Sequence, residues 1–370
     1  MDVKRKGRGT TMKQFAIYLP QFHEIEDNNR WWGKGFTEWT NVKTARPLFR
    51  NHSQPIHPLD GFYYDLTDPK TNKWQIDLAK KYGIDGFIYY HYYFSGKMIM
   101  QRPAESFLNN KTLDHRFFFC WANHTWYKGD GNHREVLIKQ TYGDKEDWER
   151  HFKYLLPFFK DSRYEKKDNK PVFMIYVYSF DKKTDIIDYF DQRCKEEGFN
   201  GIFIIETYTG DASSSDMRSF SDKIVKQAGL VYFREPNVAM RKYFKRRPIT
   251  RLYFKIIRNA RLNLKDNMVL KVNGSKLFRN MSRNLVRTIA GRPVTHGLYF
   301  SWDNTPRHGN KGYVISMPDK RDFETYVQSI RNDEYLIINA WNEWSEGMVM
   351  EPTEEYGYRN LEWLRDALRN

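Results

Sequence analysis

Eight short apolar runs, each followed by residues of helical spacing, constrain this chain more than any other feature. They are "KQFAIYLP" (13–20), "IDGFIYY" (84–90), "RFFFCWA" (116–122), "PVFMIYV" (171–177), "GIFIIET" (201–207), "GLVYF" (229–233), "HGLYFSW" (296–302) and "YLIINAW" (335–341). Rich in β-branched and aromatic residues, such runs read as strands buried on both faces. Helical candidates fall near 70–82, 144–160, 184–197, 241–263, 275–290, 319–331 and 354–369. Start signals mark several of them: Thr184 with Asp185, Asp144 before "KEDWERHF", and Asp319 after Pro318. The link after the second run carries no clear helical signal. Alternating strands and helices imply a parallel sheet covered on both faces, and eight strands close a (β/α)8 barrel. A doubly wound open sheet is the competing architecture. No internal repeat or Gly/Ser/Pro-rich linker interrupts the 370 residues, so one domain is preferred. Its parts would be a basic tail over 1–12, the barrel over 13–370, and a basic, largely helical insertion near 234–290.

A barrel demands that functional side chains gather at the C-terminal ends of its strands, where the loops converge on one mouth. The strand ends here read "PQFH" (20–23), "YYHYY" (89–93), "WANHTW" (121–126), "YVYS" (176–179), "ETYTG" (206–210), "REPN" (234–237), "WDNTPRHGN" (302–310) and "NEWSEG" (342–347). All are rich in aromatic, carboxylate, amide or imidazole groups, whereas the strand starts are bland. With 11 Trp, 25 Tyr and 26 Phe the chain cannot be a disordered one. Flat rings with polar edges also suit sugar faces, although core packing accounts for most aromatics.

"WNEWSEG" (341–347) places Glu343 and Glu346 three positions apart after the last strand. On a helical turn such residues share a face, with Cβ atoms about 5–6 Å apart. Two carboxyls that close tend to separate into one protonated and one ionised group. Glycosidic cleavage needs that combination, and retaining enzymes keep their carboxyls only about 5–5.5 Å apart. Trp341 and Trp344 would supply ring platforms. The plainer alternative is a pair of first-turn glutamates favoured by a helix dipole.

Four segments are similar to glycoside hydrolase family 99, the endo-α-mannosidase family, and more closely to its bacterial relatives, the WbsX family found with polysaccharide and O-antigen biosynthesis genes. They are "YLPQFHEIEDNNRWWGKGFTEWTNVKTARPLF", "FCWANHTW", "WDNTPRHGN" and "NAWNEWSEGMVMEPTEEYGYRNLE". The resemblance implies a (β/α)8 barrel acting with retention on an α-linked, α-mannoside-like glycan. It further implies that Glu343 deprotonates the sugar's own 2-hydroxyl, giving a 1,2-anhydro intermediate, and that Glu346 protonates the leaving oxygen and later activates water. Where that family usually carries a glutamate after "WAN", this chain has His124, which puts substrate choice and activity in question. Three other readings stay open: a glycosyltransferase of lipopolysaccharide biosynthesis, a catalytically silent glycan-binding protein, and a nucleic-acid binder, which would leave the paired glutamates unexplained.

Candidate substrate-binding residues at the strand ends are His23, Tyr89, His91, Trp121, Asn123, His124, Tyr178, Glu206, Trp302, Asp303, Asn304, Asn342 and Trp344. Trp31 and Trp32 in "RWWGKGFTEWTNV" (30–42) are read as an aromatic lid, with a buried plug as the alternative. An Asx-turn is the alternative for Asp303, and in the contiguous "YYHY" (89–92) about half the side chains must face away. The expected partner is an oligosaccharide or polysaccharide, lipid-linked in one version of the reading. No cofactor and no metal site is expected: there is no P-loop, GxGxxG, Asp-x-Asp, HxH or HExxH, and "HSQPIH" (52–57) is loosely spaced.

Net charge is +15. Residues 241–287 hold fifteen Lys and Arg against the single acid Asp266, a local excess of 15 − 1 = +14. The cations of "MRKYFKRRPITRLYFKIIRNARLNLK" alternate with apolar residues at about helical period, as in helices that lie on anionic membranes. Lys245, Arg246, Arg247, Arg251, Lys255 and Arg258 are the candidate membrane contacts; a solvated barrel insertion is the alternative, and no nucleic-acid recognition module is visible. Cys120 and Cys194 fit a reducing compartment as buried side chains. With only "FAIYL" as an apolar start and no membrane-length run, the expectation is a cytoplasmic protein, peripheral to the inner membrane's cytoplasmic face if the basic stretch binds lipid.

Overall fold

Strand β1 (Lys13–Tyr18) is hydrogen-bonded in parallel on both sides, and that double pairing closes the sheet. In the computed structural model, which describes residues 12–129, 134–210, 214–245, 252 and 269–369, seven further strands complete the ring. They are β2 (Gly86–Phe94), β3 (Arg116–Trp121), β4 (Lys170–Ile175), β5 (Phe203–Tyr208), β6 (Ala228–Phe233), β7 (Arg292–Leu298) and β8 (Tyr335–Ile338). Each pairs in parallel with its sequence neighbours, and β8 returns to β1 with Lys13 opposite Tyr335 and Ala16 opposite Ile338. This is the closed eight-stranded parallel barrel with flanking helices that the eight apolar runs imply; the open sheet is excluded by the β8–β1 pairing.

The helices expected near 70–82, 144–160, 184–197 and 319–331 are present, whereas most of the one expected near 241–263 lies outside the described residues. In chain order the helices are α1 (Glu26–Trp32), α2 (Glu38–Thr44), α3 (Pro69–Lys81), α4 (Arg102–Asn109), α5 (Lys145–Lys160), α6 (Lys183–Glu196), α7 (Ser214–Ser221), α8 (Asn237–Lys245), α9 (Gly274–Arg283), α10 (Thr305–His308), α11 (Lys320–Ser329) and α12 (Arg359–Arg369). Asp144 caps α5 by accepting from the backbone of Glu146 and Asp147, both at 3.1 Å. The link after β2 holds α4, eight residues long and opened by "RP", too short to show a period. Residues 275–290 split differently from expectation: α9 ends at Arg283 and a two-residue strand at Thr288–Ile289 pairs back on β7. The basic stretch belongs to the β6–β7 connection. Lys245 closes α8, while Arg246, Arg247, Arg251, Lys255 and Arg258 lie outside the described residues.

Side chains fill the barrel's floor. Phe15, Phe118 and Tyr335 meet there with ring centroids 4.9–6.4 Å apart. Beneath them Glu165 accepts from Tyr335 Oη at 3.1 Å and pairs with Arg116 (2.9 Å) and Lys13. Gly86 faces the same space: a Cβ there would meet the Phe15 ring at 2.4 Å and the Arg116 carbonyl at 2.5 Å, so only glycine lets β2 pass. The barrel's interior is therefore a packed core at this end. Among the described residues no helix is long and apolar enough to cross a membrane.

Outside the barrel, Glu206 is fully buried against α6. Its carboxylate takes the Lys183 ammonium at 2.6 Å and the Val225 backbone N–H at 2.9 Å, and the same ammonium reaches the carbonyls of Tyr178 and Lys223. Burial pushes Glu206 above and Lys183 below its ordinary range, so desolvation outweighs their mutual attraction. Lys183→Met leaves that carboxylate buried alone and is expected to cost about 3–5 kcal/mol of unfolding free energy. The Lys183→Met/Glu206→Leu double variant recovers most of the loss; urea denaturation of both variants is the check.

Candidate active site

Three loops supply a cluster of charge at the mouth. After β8 the chain makes a single 3-10 turn, Trp344–Glu346, ended by Gly347 at φ 61°, a left-handed conformation that favours glycine. After β7 the four-residue α10 carries Arg307. In the β1–α3 connection, α2 begins at Glu38. Arg307 Nη2 donates to Glu343 Oε1 and Nη1 to Glu346 Oε1, each at 2.7 Å, and Nη2 also lies 3.2 Å from Glu38 Oε2. One planar guanidinium thus spans both members of the carboxylate pair, a fork that lysine could not reproduce. Glu346 Oε2 accepts the Trp302 indole N–H at 3.0 Å, and Glu38 Oε2 accepts from Ser345 Oγ and Asn41 Nδ2.

The two carboxyls are electrostatically unlike. Burial pushes Glu343 up to about 8, against the pull of Arg307 and with help from the charges of Glu346 and Glu38. Glu346 is desolvated too, yet Arg307, Arg234, the Trp302 N–H and His308 together hold it below the ordinary carboxylate range. At neutral pH the pair therefore shares one proton, resting on Glu343.

A third carboxylate stands behind the turn. Glu351 accepts from Tyr64 Oη (2.7 Å), Gln75 Nε2 (2.6 Å) and the Trp344 indole (2.8 Å), and burial pushes it up to about 7 against these bonds. Trp344 itself is buried, packed 5.5 Å from the Trp39 ring, and so anchors the turn rather than offering a face to a sugar. Trp341 is equally buried, against Phe87.

Opposite the carboxylates lies an aromatic and cationic wall set by strand alternation. On β2 the side chains of Tyr90 and Tyr92 point inward, where they feel the charge of Glu343. Tyr176 lies 5.7 Å from Tyr90, with the Arg234 guanidinium 4.6 Å over its ring and the His124 imidazole 5.2 Å away. Burial, aided by Arg234, lowers His124 to about 4, so its ring is neutral. Trp126 packs 5.0 Å from Tyr92 and 6.1 Å from Trp31, while Trp32 stacks on Phe36 and stays 43 % exposed. Trp39, by contrast, is buried and packs 4.5 Å from Phe22, as a plug would.

Of the residues picked from sequence, the structure brings together Glu343, Glu346, Trp302 and His124, with Trp31 reached through Trp126. Most of the others lie elsewhere. Tyr89 packs on Phe107 of α4, and His91 stacks on Tyr154 with its Nε2 2.8 Å from His151 Nε2, both outside the barrel. Trp121 sits among Tyr142, His151 and Phe180, Tyr178 packs on Phe220, and Glu206 holds Lys183. Asn123 and Asn342 brace backbone: Asn123 bonds both N and O of Val177, and Asn342 both N and O of Leu19. Asp303 makes the Asx-turn, accepting from Thr305 N (3.0 Å) and Oγ1 (2.6 Å) while His52 and Gln54 hold its other oxygen; Asn304 accepts from Tyr313 N. These two set the geometry of α10 and so of Arg307. His23 is buried, lowered to about 4 by desolvation, and the charges acting on it are Asp65 and Arg102. Arg307, Arg234, Tyr90, Tyr92 and Tyr176 were not picked out, although each lies in one of the strand-end segments.

A profile of the family described as "Glycosyltransferase WbsX" matches residues 14–364. Two proteins described as "Uncharacterized protein WxcX", from two strains of Xanthomonas campestris pv. campestris, are 30% identical over 364 residues, covering 95% of this chain and 49% of theirs. The chain thus spans about half the length of these curated relatives. Among solved structures, a "Glycoside hydrolase-like protein" aligns with TM-score 0.56 at 14% identity over 100% of this chain and 97% of its own. The GH99 endo-alpha-mannosidase from Bacteroides thetaiotaomicron, in complex with bis-tris-propane, aligns with TM-score 0.53 at 10% identity over 96% and 98%. At such identity these two share the fold.

Replacing Arg307 by Met leaves Glu38, Glu343 and Glu346 without their common counter-charge. Glu346 is then expected to titrate at or above the ordinary carboxylate range, read by carbon-13 NMR of labelled carboxyl groups. Titration at the wild-type position means that Arg307 does not hold it.

Proposed function

The chain belongs to the Glycosyltransferase WbsX family, and from that membership and the geometry of the mouth we propose that it is a carbohydrate-active enzyme of polysaccharide metabolism. The observation that carries the reading is the pair Glu343–Glu346, held side by side by one guanidinium and partly open to solvent; burial raising one carboxyl while cations lower the other fits an acid and a base. The reaction is cleavage of an α-linked, α-mannoside-like glycan with retention. Glu343 takes the proton of the sugar's 2-hydroxyl, O2 attacks the anomeric carbon, and the bond to the leaving oxygen breaks as Glu346 protonates it. Glu346 then removes a proton from water, which attacks the anomeric carbon; the C1–O2 bond opens and Glu343 returns its proton to O2. An acceptor hydroxyl in place of water turns the same sequence into transfer, the reading favoured by the family's own description.

These roles need the proton on Glu346 and the charge on Glu343, the reverse of the resting arrangement. A ring entering between the carboxyls would compete with Arg307 for Glu346 and so favour that exchange. Because the pair must hold one proton in either form, kcat/KM is expected to fall as pH rises through about 8, where that proton leaves. It is also expected to fall on the acid side, below the ordinary carboxylate range, where a second proton binds. A profile flat from pH 7 to 9 contradicts the shared proton.

Turnover of an α-mannoside-type donor in water is expected to drop about 10²–10⁴-fold in Glu346→Gln and in Glu343→Gln. Activity only with an acceptor present selects transfer. Sugar binding without turnover, unchanged in both variants, selects a glycan-binding protein instead.

The basic β6–β7 connection adds a second element to the proposal, attachment to an anionic membrane surface, where a lipid-linked glycan would be met. Anionic liposomes are expected to float the protein, and the triple variant Arg246→Glu, Arg247→Glu, Arg251→Glu to stay behind. Equal flotation of both, or of neither, removes this element.

A further inference from the structure

Arg234 differs from every other charged group at the mouth. Arg307 is surrounded by three carboxylates, but among the described residues Arg234 has no ion pair, and its Nε is buried without a hydrogen-bond partner. The acids that feel its charge, Glu343 and Glu346, each give an oxygen to Arg307 instead. What surrounds Arg234 is aromatic: its guanidinium lies 4.6 Å over the Tyr176 ring, and the phenols of Tyr90 and Tyr232 are close enough to be perturbed by its charge.

Other buried polar atoms lie unpartnered in and around this part of the barrel. They include His124 Nδ1, Tyr232 Oη, and the hydroxyls of Thr207 and Thr295. Tyr232 Oη reaches across to β7, 3.0 Å from where a Cβ on Gly297 would lie. Buried polar groups are as a rule hydrogen-bonded, and a guanidinium with no carboxylate in direct contact keeps donors for a ligand. Of these groups only the guanidinium is charged and cannot accept, while the hydroxyls and the neutral imidazole can do both. The complement of that guanidinium is a ligand group that accepts and carries negative charge, which a neutral sugar hydroxyl does not.

We infer that Arg234, with Tyr176 and Tyr232, forms an anion-recognising subsite, so that the glycan held at this mouth carries a carboxylate or a phosphate group. The inference rests on the glycan-processing reading and narrows it to acidic sugars or glycosyl phosphates. Arg234 is the specificity-determining residue, presenting its fork to the anion, as guanidinium groups do to carboxylate and phosphate oxygens.

The test uses the full chain and three probes by ligand-observed NMR: methyl α-D-glucuronide, α-D-glucose 1-phosphate and the neutral methyl α-D-glucoside. At least one anionic probe is expected to bind about tenfold or more tightly than the neutral one, the factor that a charge-assisted hydrogen bond supplies. Which probe gains separates carboxylate from phosphate recognition. Arg234→Met is expected to bring that probe to the level of the neutral glycoside, and Arg234→Lys to keep part of the preference; thermal melts matching wild type show that the variants fold. Equal binding of all three probes overturns the inference while leaving the glycan reading in place. So does a preference that survives in Arg234→Met. Failure of all three to bind overturns the inference, and the glycan reading then stands or falls on the Glu343→Gln and Glu346→Gln turnover assay.

Discussion

The pairing of β1 with both β8 and β2 is the constraint from which the rest of the molecule follows. Once the sheet is closed, each strand has an inside and an outside, and alternate residues are committed to one or the other. Inside, the lower positions fill with Phe15, Phe118 and Tyr335, and the space beside Gly86 is so tight that even a methyl group would collide. Only the last inward residues of each strand, and the loops beyond them, can reach anything outside the protein. The mouth is therefore chemically active because the floor is sealed.

The same alternation explains where sequence reading succeeded and where it stopped. Eight apolar runs are an unambiguous signal, since a strand buried on both faces carries no polar interruption; their order then leaves few topologies. The carboxylate pair was legible because a segment so dense in tryptophan and glutamate has few structural uses directly after a strand. Phase within a strand was not legible. In "YYHYY" every residue is plausible on either face, and only the register of β2 against β3, with Tyr89 opposite Phe119, determines that Tyr90 and Tyr92 look inward while Tyr89 and His91 meet the helices. A one-residue error of phase exchanges the whole set. Trp121 was misplaced for the same reason, its neighbour Cys120 taking the inward place, whereas Tyr178 lies in the loop beyond Ile175, where strand alternation no longer applies.

Arg307 was missed for a different reason: its partners are far away in sequence. The guanidinium gathers Glu38 from the first loop and Glu343 and Glu346 from the last, 269, 36 and 39 positions away. No local pattern encodes that meeting. What the sequence did contain was the scaffold for it, read as something else. Asp303 and Asn304 looked like sugar-binding groups, and their side chains are instead consumed in shaping the four-residue α10 that aims Arg307. Asn342 was read likewise, and it clips the backbone of Leu19 and so fastens the β8 loop to the end of β1. Short polar side chains at a barrel's rim serve backbone as readily as ligand, because irregular loops leave N–H and C=O groups that need partners.

The mouth divides into two halves with opposite tasks. Loops after β1, β7 and β8 supply acids and the arginine that restrains them; β2, β4 and β6 supply phenols and a second arginine with no acid to restrain. Exchanging the two arginines would defeat both halves. Without a cation among them, clustered carboxylates would hold more protons between them at neutral pH, because each charge raises the cost of the next. Given a carboxylate of its own, Arg234 would be a closed ion pair and could discriminate nothing. Direct contact with Glu343 and Glu346 falls to Arg307, through 2.7 Å contacts at two nitrogens of one guanidinium, while Arg234 acts on the pair only through its field. If the two proposals hold, chemistry sits on one wall and recognition on the other, and a change in either arginine need not disturb the other's partners.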